Sequence, residues 1–179
     1  MNLLLHICCG PCAVYPLQQL RQAGIDVSGY FYNPNIHPYR EFNQRILAVK
    51  QFAEISQLNI EIETDYGLTE YLRKVVFHEH QRCALCYHMR LDVVAQKARA
   101  LGKDAFSTTL LYSKYQDHEG IRQIGEELAG KYQLQFYYQD FREGWQQGID
   151  GAIEMNLYRQ PYCGCIYSEH ERYAKKIKT

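Results

Sequence analysis

Seven cysteines fall in three tight groups: Cys8-Cys9-x-x-Cys12, Cys83-x-x-Cys86 and Cys163-x-Cys165. Thiolates spaced like this are ligands for soft metals or partners in redox chemistry. A Cys-x-x-Cys pair at a helix start has three readings. It is half of a zinc site, a dithiol redox pair able to close a disulfide, or half of an iron–sulfur site. Three groups together narrow the choice. A structural zinc site closes with four ligands and leaves three thiols idle unless a second metal takes them. A thioredoxin-like dithiol needs only two. One [4Fe–4S] cluster takes four thiolates and leaves three for a neighbouring mononuclear iron, which accounts for all seven. Radical-SAM chemistry is disfavoured, because Cys8-x3-Cys12 would need a third cysteine at Tyr15. One free cysteine alone reads as a small buried hydrophobe. Three groups, each at a strand-to-helix or loop boundary, do not.

Charge constrains the same site. Seven thiolates, an oxidised cubane core and a ferrous ion leave about −3 by formal count. Arg82, Arg142 and Arg159, each close in sequence to a cysteine segment or to the strand end beside it, are the expected compensating cations. His6 reads as a core histidine bonded to backbone. His88, two residues after Cys86, is a zinc ligand under the zinc reading. His37 sits in a rigid loop as a substrate or structural contact.

These residues need elements to carry them. Leu3–Ile7 reads as a short strand buried on both faces, and a helix is expected from near Ala13 to Gly24. In open α/β sheets the carboxyl ends of the strands face the ligand crevice, and the first cysteine group lies there. Asp26–Tyr32 reads as a strand. Asn33-Pro34-Asn35-Ile36-His37-Pro38 is a loop stiffened by two prolines. Helices are expected over Tyr39–Leu58, Leu68–Val76, Cys83–Leu101 and Asp117–Tyr132, and strands over Asn59–Thr64, Asp104–Leu111 and Leu134–Tyr138. Cys83 and Cys86 open their helix, where the helix dipole favours thiolate. The stretch from Gly144 to Thr179 reads as helical, broken at Pro161–Cys165, and completes the metal site of a single α/β domain spanning 1–179. The alternation predicts a Rossmann-like parallel sheet sandwiched by helices.

The chain has 179 residues, 46% hydrophobic and 22% charged, which suits one soluble domain. It contains no membrane span and no signal-peptide pattern, so the cytoplasm is the expected compartment. Twenty basic residues offset twenty acidic ones. That argues against gripping nucleic acid by bulk charge but leaves room for local patches, either Arg73, Lys74, Arg82 and Arg90 or Lys175, Lys176 and Lys178. Among sixteen tyrosines, a few can offer stacking platforms for a nucleobase.

Four motifs in order resemble one family. They are His6-x-Cys8-Cys9-Gly10-Pro11-Cys12, Phe31-Tyr32-Asn33-Pro34-Asn35-Ile36-His37-Pro38, Arg82-Cys83-x-x-Cys86-Tyr87 and Tyr158-Arg159-Gln160-x-Tyr162-Cys163-Gly164-Cys165. The chain resembles the QueH-type epoxyqueuosine reductases over about residues 2–168. It departs at Ser113-Lys114-Tyr115-Gln116, where the family is expected to have proline in place of Lys114. The resemblance implies a fold similar to the adenine nucleotide alpha hydrolase, or PP-loop, group. The PP-loop signature Ser-Gly-Gly-x-Asp-Ser is absent, so ATP binding is not expected. The resemblance further implies reduction of epoxyqueuosine to queuosine at the wobble position of tRNA. A [4Fe–4S] cluster and an additional mononuclear iron, or zinc or another metal in its place, are the implied cofactors. Some family members carry a carboxylate at the position of Cys12, which points to that residue as a ligand of the single metal. The implied partners are the tRNA anticodon stem-loop and an external one-electron donor, ferredoxin- or flavodoxin-like. The RNA would meet His37, Arg82, Arg142 and Arg159, and the expected proton donors are Tyr115, Asp140 and Tyr162. The competing readings are a PP-loop-like tRNA sulfur-transfer enzyme, a zinc-binding RNA module and a thiol–disulfide oxidoreductase.

Overall fold

The run Leu3-Leu4-Leu5 forms the centre of β1 (Asn2–His6), buried on both faces as the middle strand of a parallel sheet. The computed structural model describes residues 1–174. The other strands are β2 (Asp26–Phe31), β3 (Ile60–Ile62), β4 (Ala105–Thr108) and β5 (Gln135–Phe136). Their order is β3-β2-β1-β4-β5, all parallel. The chain first builds outward from β1 through β2 to β3, then returns to the other side of β1 for β4. The carboxyl ends of β1 and β4 are therefore the switch point, where this architecture opens a ligand crevice.

Helices fill the connections: α1 (Gly10–Gln22), α2 (Tyr39–Ser56), α3 (Leu68–Val75), α4 (Arg82–Ala100), α5 (His118–Tyr132), α6 (Trp145–Glu154) and α7 (Ile166–Tyr173). α1 begins three residues before the expected Ala13, so Cys12 lies in its first turn. Pro11 explains this, since its fixed φ suits the first helical turn and its missing N–H is one that the turn leaves unpaired anyway. Gly10 allows the close crossing of α1 on α2, because a Cβ there would lie 2.8 Å from the Ala48 carbonyl oxygen.

Three strands are shorter than the sequence suggests, β3 keeping only Ile60–Ile62 of the expected Asn59–Thr64. After Thr108 the chain leaves the sheet for a 3-10 turn over Thr109–Tyr112, capped by the Thr108 hydroxyl, which accepts from the Leu110 N–H at 3.1 Å. That local bond competes with the strand ladder. β5 pairs over only two residues. The stretch from Gly144 is helical in α6 and α7, with an irregular segment between them that carries Cys163 and Cys165. No helix among the described residues is long and apolar enough to cross a membrane.

Candidate metal centre

All three cysteine groups come to the carboxyl edge of the sheet. Cys8 follows β1, Cys9 caps α1, and Cys12 lies within it. Their sulfur atoms all lie within 4.8 Å of one another, the tightest potential metal-ligating group among the described residues. Thiolates about 2.3 Å from one tetrahedral ion stand about 3.8 Å apart, so this trio is compact enough to hold a metal ion. The Thr109 hydroxyl, at the end of β4, accepts from the Cys8 N–H at 3.0 Å and donates to the Cys8 sulfur at 3.2 Å. Gln160 donates its amide to Cys9 at 2.9 Å and to Cys12 at 3.4 Å. Hydrogen bonds from Cys12 and Cys9 hold the Cys8 thiol well below its ordinary range. Burial pushes Cys9 up, and the bond to Cys8 pushes Cys12 up. The shared hydrogen bonds thus favour ionisation of Cys8 over that of Cys9 and Cys12.

The second group draws on two distant segments. Cys86 and Cys165 pack together with Tyr71, Val75 and Met89 in a small core of their own. Cys83 and Cys163 are exposed, and both sit close enough to act electrostatically on their neighbours in the group. Burial pushes Cys86 up to about 12 and raises Cys83 and Cys163 as well. Gln116 donates its amide to the Cys163 sulfur at 3.4 Å. All seven cysteines are free thiols.

Two buried arginines serve this edge. Arg90, on α4 four residues after Cys86, lies 3.8 Å from the Cys86 sulfur and donates to the Asn33 side-chain oxygen at 2.5 Å. Asn33 in turn donates to the Ile7 carbonyl at 2.9 Å. Cys8, Cys86 and Cys163 all hold the Arg90 charge in place. Arg45, on α2, pairs with Glu41 at 2.7 Å and donates to the carbonyls of Cys163 at 2.7 Å and Tyr162 at 2.9 Å. Glu41 also accepts from the Tyr158 hydroxyl at 2.5 Å. Arg45 therefore fastens the third cysteine segment to the domain. Gly164 makes the bend possible. Its φ is +144°, and a Cβ there would lie 3.1 Å from Asn35 and 3.2 Å from Arg45.

The residues expected from sequence fall in several places. Arg82 pairs with Glu171 at 2.5 Å and lies over the Tyr167 ring, beside Cys83. Arg142 is taken up by Asp140 at 2.5 Å. Arg159 is exposed and acts electrostatically on Tyr112. The cations that meet buried thiols are thus Arg90 and Arg45, not Arg142. His37 is only 2% exposed, between the rings of Tyr66 and Tyr71, and its backbone N–H donates to the Gly164 carbonyl at 2.8 Å. That burial removes it from contact with a large substrate and makes it a support for the Cys-Gly-Cys bend. Asp140 is held ionised, down to about 2, by the hydrogen bonds of Arg142, so it has no proton to give at neutral pH. The Tyr162 hydroxyl donates to the His37 carbonyl, and burial pushes it up to about 12. Tyr115 is 84% exposed. His6 is a buried core histidine, bonded to Thr108 at 2.8 Å and to the Tyr32 carbonyl at 3.2 Å. Burial lowers it to about 3, so its ring is neutral. His88 is exposed on the far side of α4 from Cys86, away from any zinc-like cluster. Lys175, Lys176 and Lys178 lie outside the described residues.

Sequence reading missed Arg45, Thr109 and Gln160 as site residues, and it placed Arg90 in a surface basic patch although its side chain is buried against Cys86 and Asn33. A signal existed for Arg90. The stripe Cys86, Arg90, Val94 repeats every fourth residue on the buried side of α4, and a charge within such a stripe needs a buried partner.

Residues 3–171 match the family described as epoxyqueuosine reductase QueH. A protein named epoxyqueuosine reductase QueH from Dehalococcoides mccartyi is 36% identical over 97% of this chain and 96% of its own length. The protein of the same name from Thermotoga maritima is 36% identical over 97% of this chain and 93% of its own. Among solved structures, a predicted subunit of tRNA methyltransferase from Methanocaldococcus jannaschii superposes with a TM-score of 0.55, at 12% identity, over 86% of this chain and 76% of its own. That likeness is one of fold alone. With the family model spanning nearly all of the chain and relatives matching end to end, this chain belongs to the epoxyqueuosine reductase QueH family.

Proposed function

We propose that this chain reduces the epoxide of epoxyqueuosine in a tRNA anticodon stem-loop to the alkene of queuosine, with Cys8, Cys9 and Cys12 holding a single iron and Cys83, Cys86, Cys163 and Cys165 holding a [4Fe–4S] cluster. Family membership carries the oxidoreductase activity. The observation that carries the metal assignment is the convergence of three cysteine segments on the switch point of the sheet, one of them compact enough for a single ion. A cluster is itself several ångströms across, so its four thiolates stand farther apart than those on one ion. The looser second set suits it. On this reading the segment from 144 onward belongs to the same domain, because it delivers Cys163 and Cys165.

The reaction takes two electrons and two protons, and the epoxide oxygen leaves as water. When bound, the single ion supplies a Lewis acid and the cluster passes electrons one at a time from an external donor of the ferredoxin or flavodoxin type. The chain's own residues do the rest. Thr109 and Gln160 direct hydrogen bonds at the trio and stabilise its thiolates. Arg90 places a buried positive charge between the two sets. Asp140 is poorly suited as a proton donor because Arg142 holds it ionised, and the Tyr162 hydroxyl is engaged by the His37 carbonyl.

The test is anaerobic purification with iron, sulfide and zinc measured per chain, followed by incubation with epoxyqueuosine-containing tRNA and a reduced donor. The expected result is about five irons and four sulfides, one cluster plus one ion, and nucleoside analysis showing queuosine. Little iron with stoichiometric zinc after reconstitution would overturn the cofactor assignment and favour a zinc-binding RNA module.

A further inference from the structure

The segment Tyr112–Gln116 runs along the rim of the candidate centre. At one end Tyr112 lies within the field of Cys9, Cys12 and Arg159, with Asp150 acting on it as well. At the other end Gln116 touches the Cys163 sulfur. The residues between them therefore connect the two thiol sets across the outside of the site.

This rim is built of aromatic rings on a firm base. The Tyr112 ring stacks on Trp145 at 5.1 Å and 22°, and its hydroxyl donates to the Trp145 carbonyl at 2.7 Å. The Lys114 ammonium lies 5.4 Å from the centre of the Trp145 ring. Tyr115 meets Trp145 edge-on at 5.9 Å and 78°, and it is 84% exposed. Its ring is largely open to solvent, with the indole as its aromatic neighbour. One exposed aromatic side chain alone needs no explanation. This one lies between Tyr112 and Gln116, which meet the two thiol sets, beside an exposed lysine, and the exposed Arg159 acts on Tyr112.

We propose that Tyr115, braced by Trp145 and flanked by Lys114, is a stacking platform for an unpaired base next to the nucleotide that enters the centre. The inference rests on the tRNA reading above and deepens it. Flat π-faces with cations beside them suit a single-stranded nucleic acid, whose bases stack while its phosphates meet the lysine and arginine. An apolar peptide would not use the cations. The platform also gives Tyr115 a role that its exposure supports better than proton transfer, which calls for a position within hydrogen-bond reach of the reacting group.

Trp145 is the sole tryptophan in the chain, so intrinsic emission reports from the platform itself. The experiment titrates anaerobic holoprotein with an anticodon stem-loop RNA. Trp145 emission is followed alongside the anisotropy of labelled RNA. Emission should change saturably, with the same midpoint as anisotropy. Tyr115→Ala should weaken RNA binding by about 5- to 150-fold, the loss expected for one stacked base. Tyr115→Phe should stay within about twofold of the parent affinity, because the ring face is kept. Lys114→Ala should lower the slope of log affinity against log salt by about one. An unchanged affinity in Tyr115→Ala with Trp145 emission indifferent to saturating RNA would overturn the platform. So would an equal loss in Tyr115→Phe and Tyr115→Ala, which would assign the role to the hydroxyl. A response of Trp145 to a ferredoxin-type donor but not to RNA would make the surface a protein-docking site and also overturn it. Absence of RNA binding by anisotropy in the parent protein would instead sink the tRNA reading on which the platform rests.

Discussion

Arg90 answers the charge problem of the centre from inside the protein. Its guanidinium is buried, hydrogen-bonded to Asn33, and drawn on by Cys8, Cys86 and Cys163. A cation so placed stabilises the reduced, more negative state of any metal held there. Arg90→Met should therefore lower the midpoint potential of the reconstituted cluster on the order of 100 mV, the shift expected from one charge a few ångströms away at an effective dielectric near 20. An EPR-monitored redox titration measures it, and Arg90→Lys should recover part of the shift. Gly164 is a second decisive residue. Its φ of +144° disfavours any side chain, and Asn35 and Arg45 would crowd a Cβ there. Gly164→Ala should cost about 1–3 kcal/mol of stability and lower cluster occupancy, while cobalt binding at the Cys8–Cys12 trio survives. Absorption of the cobalt thiolate complex and sulfide analysis separate the two effects. At this scale the sequence was only partly legible. Cysteine announces its chemistry by type and spacing. Arg45 and Arg90 sit inside ordinary helices, and only a charge within a buried stripe hints at them. Thr109 and Gln160 have no local signature, because their partners lie 101 and 151 residues away.

α2 does more than cover the sheet. Its Glu41–Arg45 pair, one turn apart, reaches out to hold the carbonyls of Tyr162 and Cys163 and the hydroxyl of Tyr158. Arg45→Met leaves Glu41 and two carbonyls without their partner. It should destabilise the protein by about 3–5 kcal/mol. Hydrogen exchange should show loss of protection first in the stretch around residues 158–165, with β1 and β4 least affected. Equal loss throughout would mean that α2 does not act as the anchor of that segment. The helices and strands themselves were largely legible, because their apolar periods are strong, as in Phe42, Ile46, Val49 and Phe52 of α2. The misread boundaries have local causes. Pro11 starts α1 early, and the Thr108 hydroxyl draws the chain out of β4 into a 3-10 turn. Neither is visible in hydrophobic periodicity.

For the molecule as a whole, the order β3-β2-β1-β4-β5 puts the first cysteine group at the switch point, a position that the alternation of strands and helices already implied. What the alternation does not reveal is which later segments return to that point. The cluster, if held as proposed, ties two remote stretches, 83–86 and 163–165, together. Its removal should then loosen the molecule globally and not at one loop. Chelation of the reconstituted protein under reducing conditions should lower the thermal midpoint by about 5–10 °C, the equivalent of losing a ligand present at roughly 100 times its dissociation constant. Scanning calorimetry of the two forms checks this. An unchanged midpoint would mean that the centre contributes nothing to cohesion.

Gln160 lies 151 residues after Cys9, whose sulfur it contacts, and Cys163 and Cys165 come later still. On the ribosome, β1, α1 and the first thiols emerge long before their partners exist. Iron reaching the nascent chain would find the trio without its Gln160 bonds and the second set half made. On the proposed assignment, assembly of the full centre is thereby deferred until translation has passed residue 165, after all five strands of the sheet have been made.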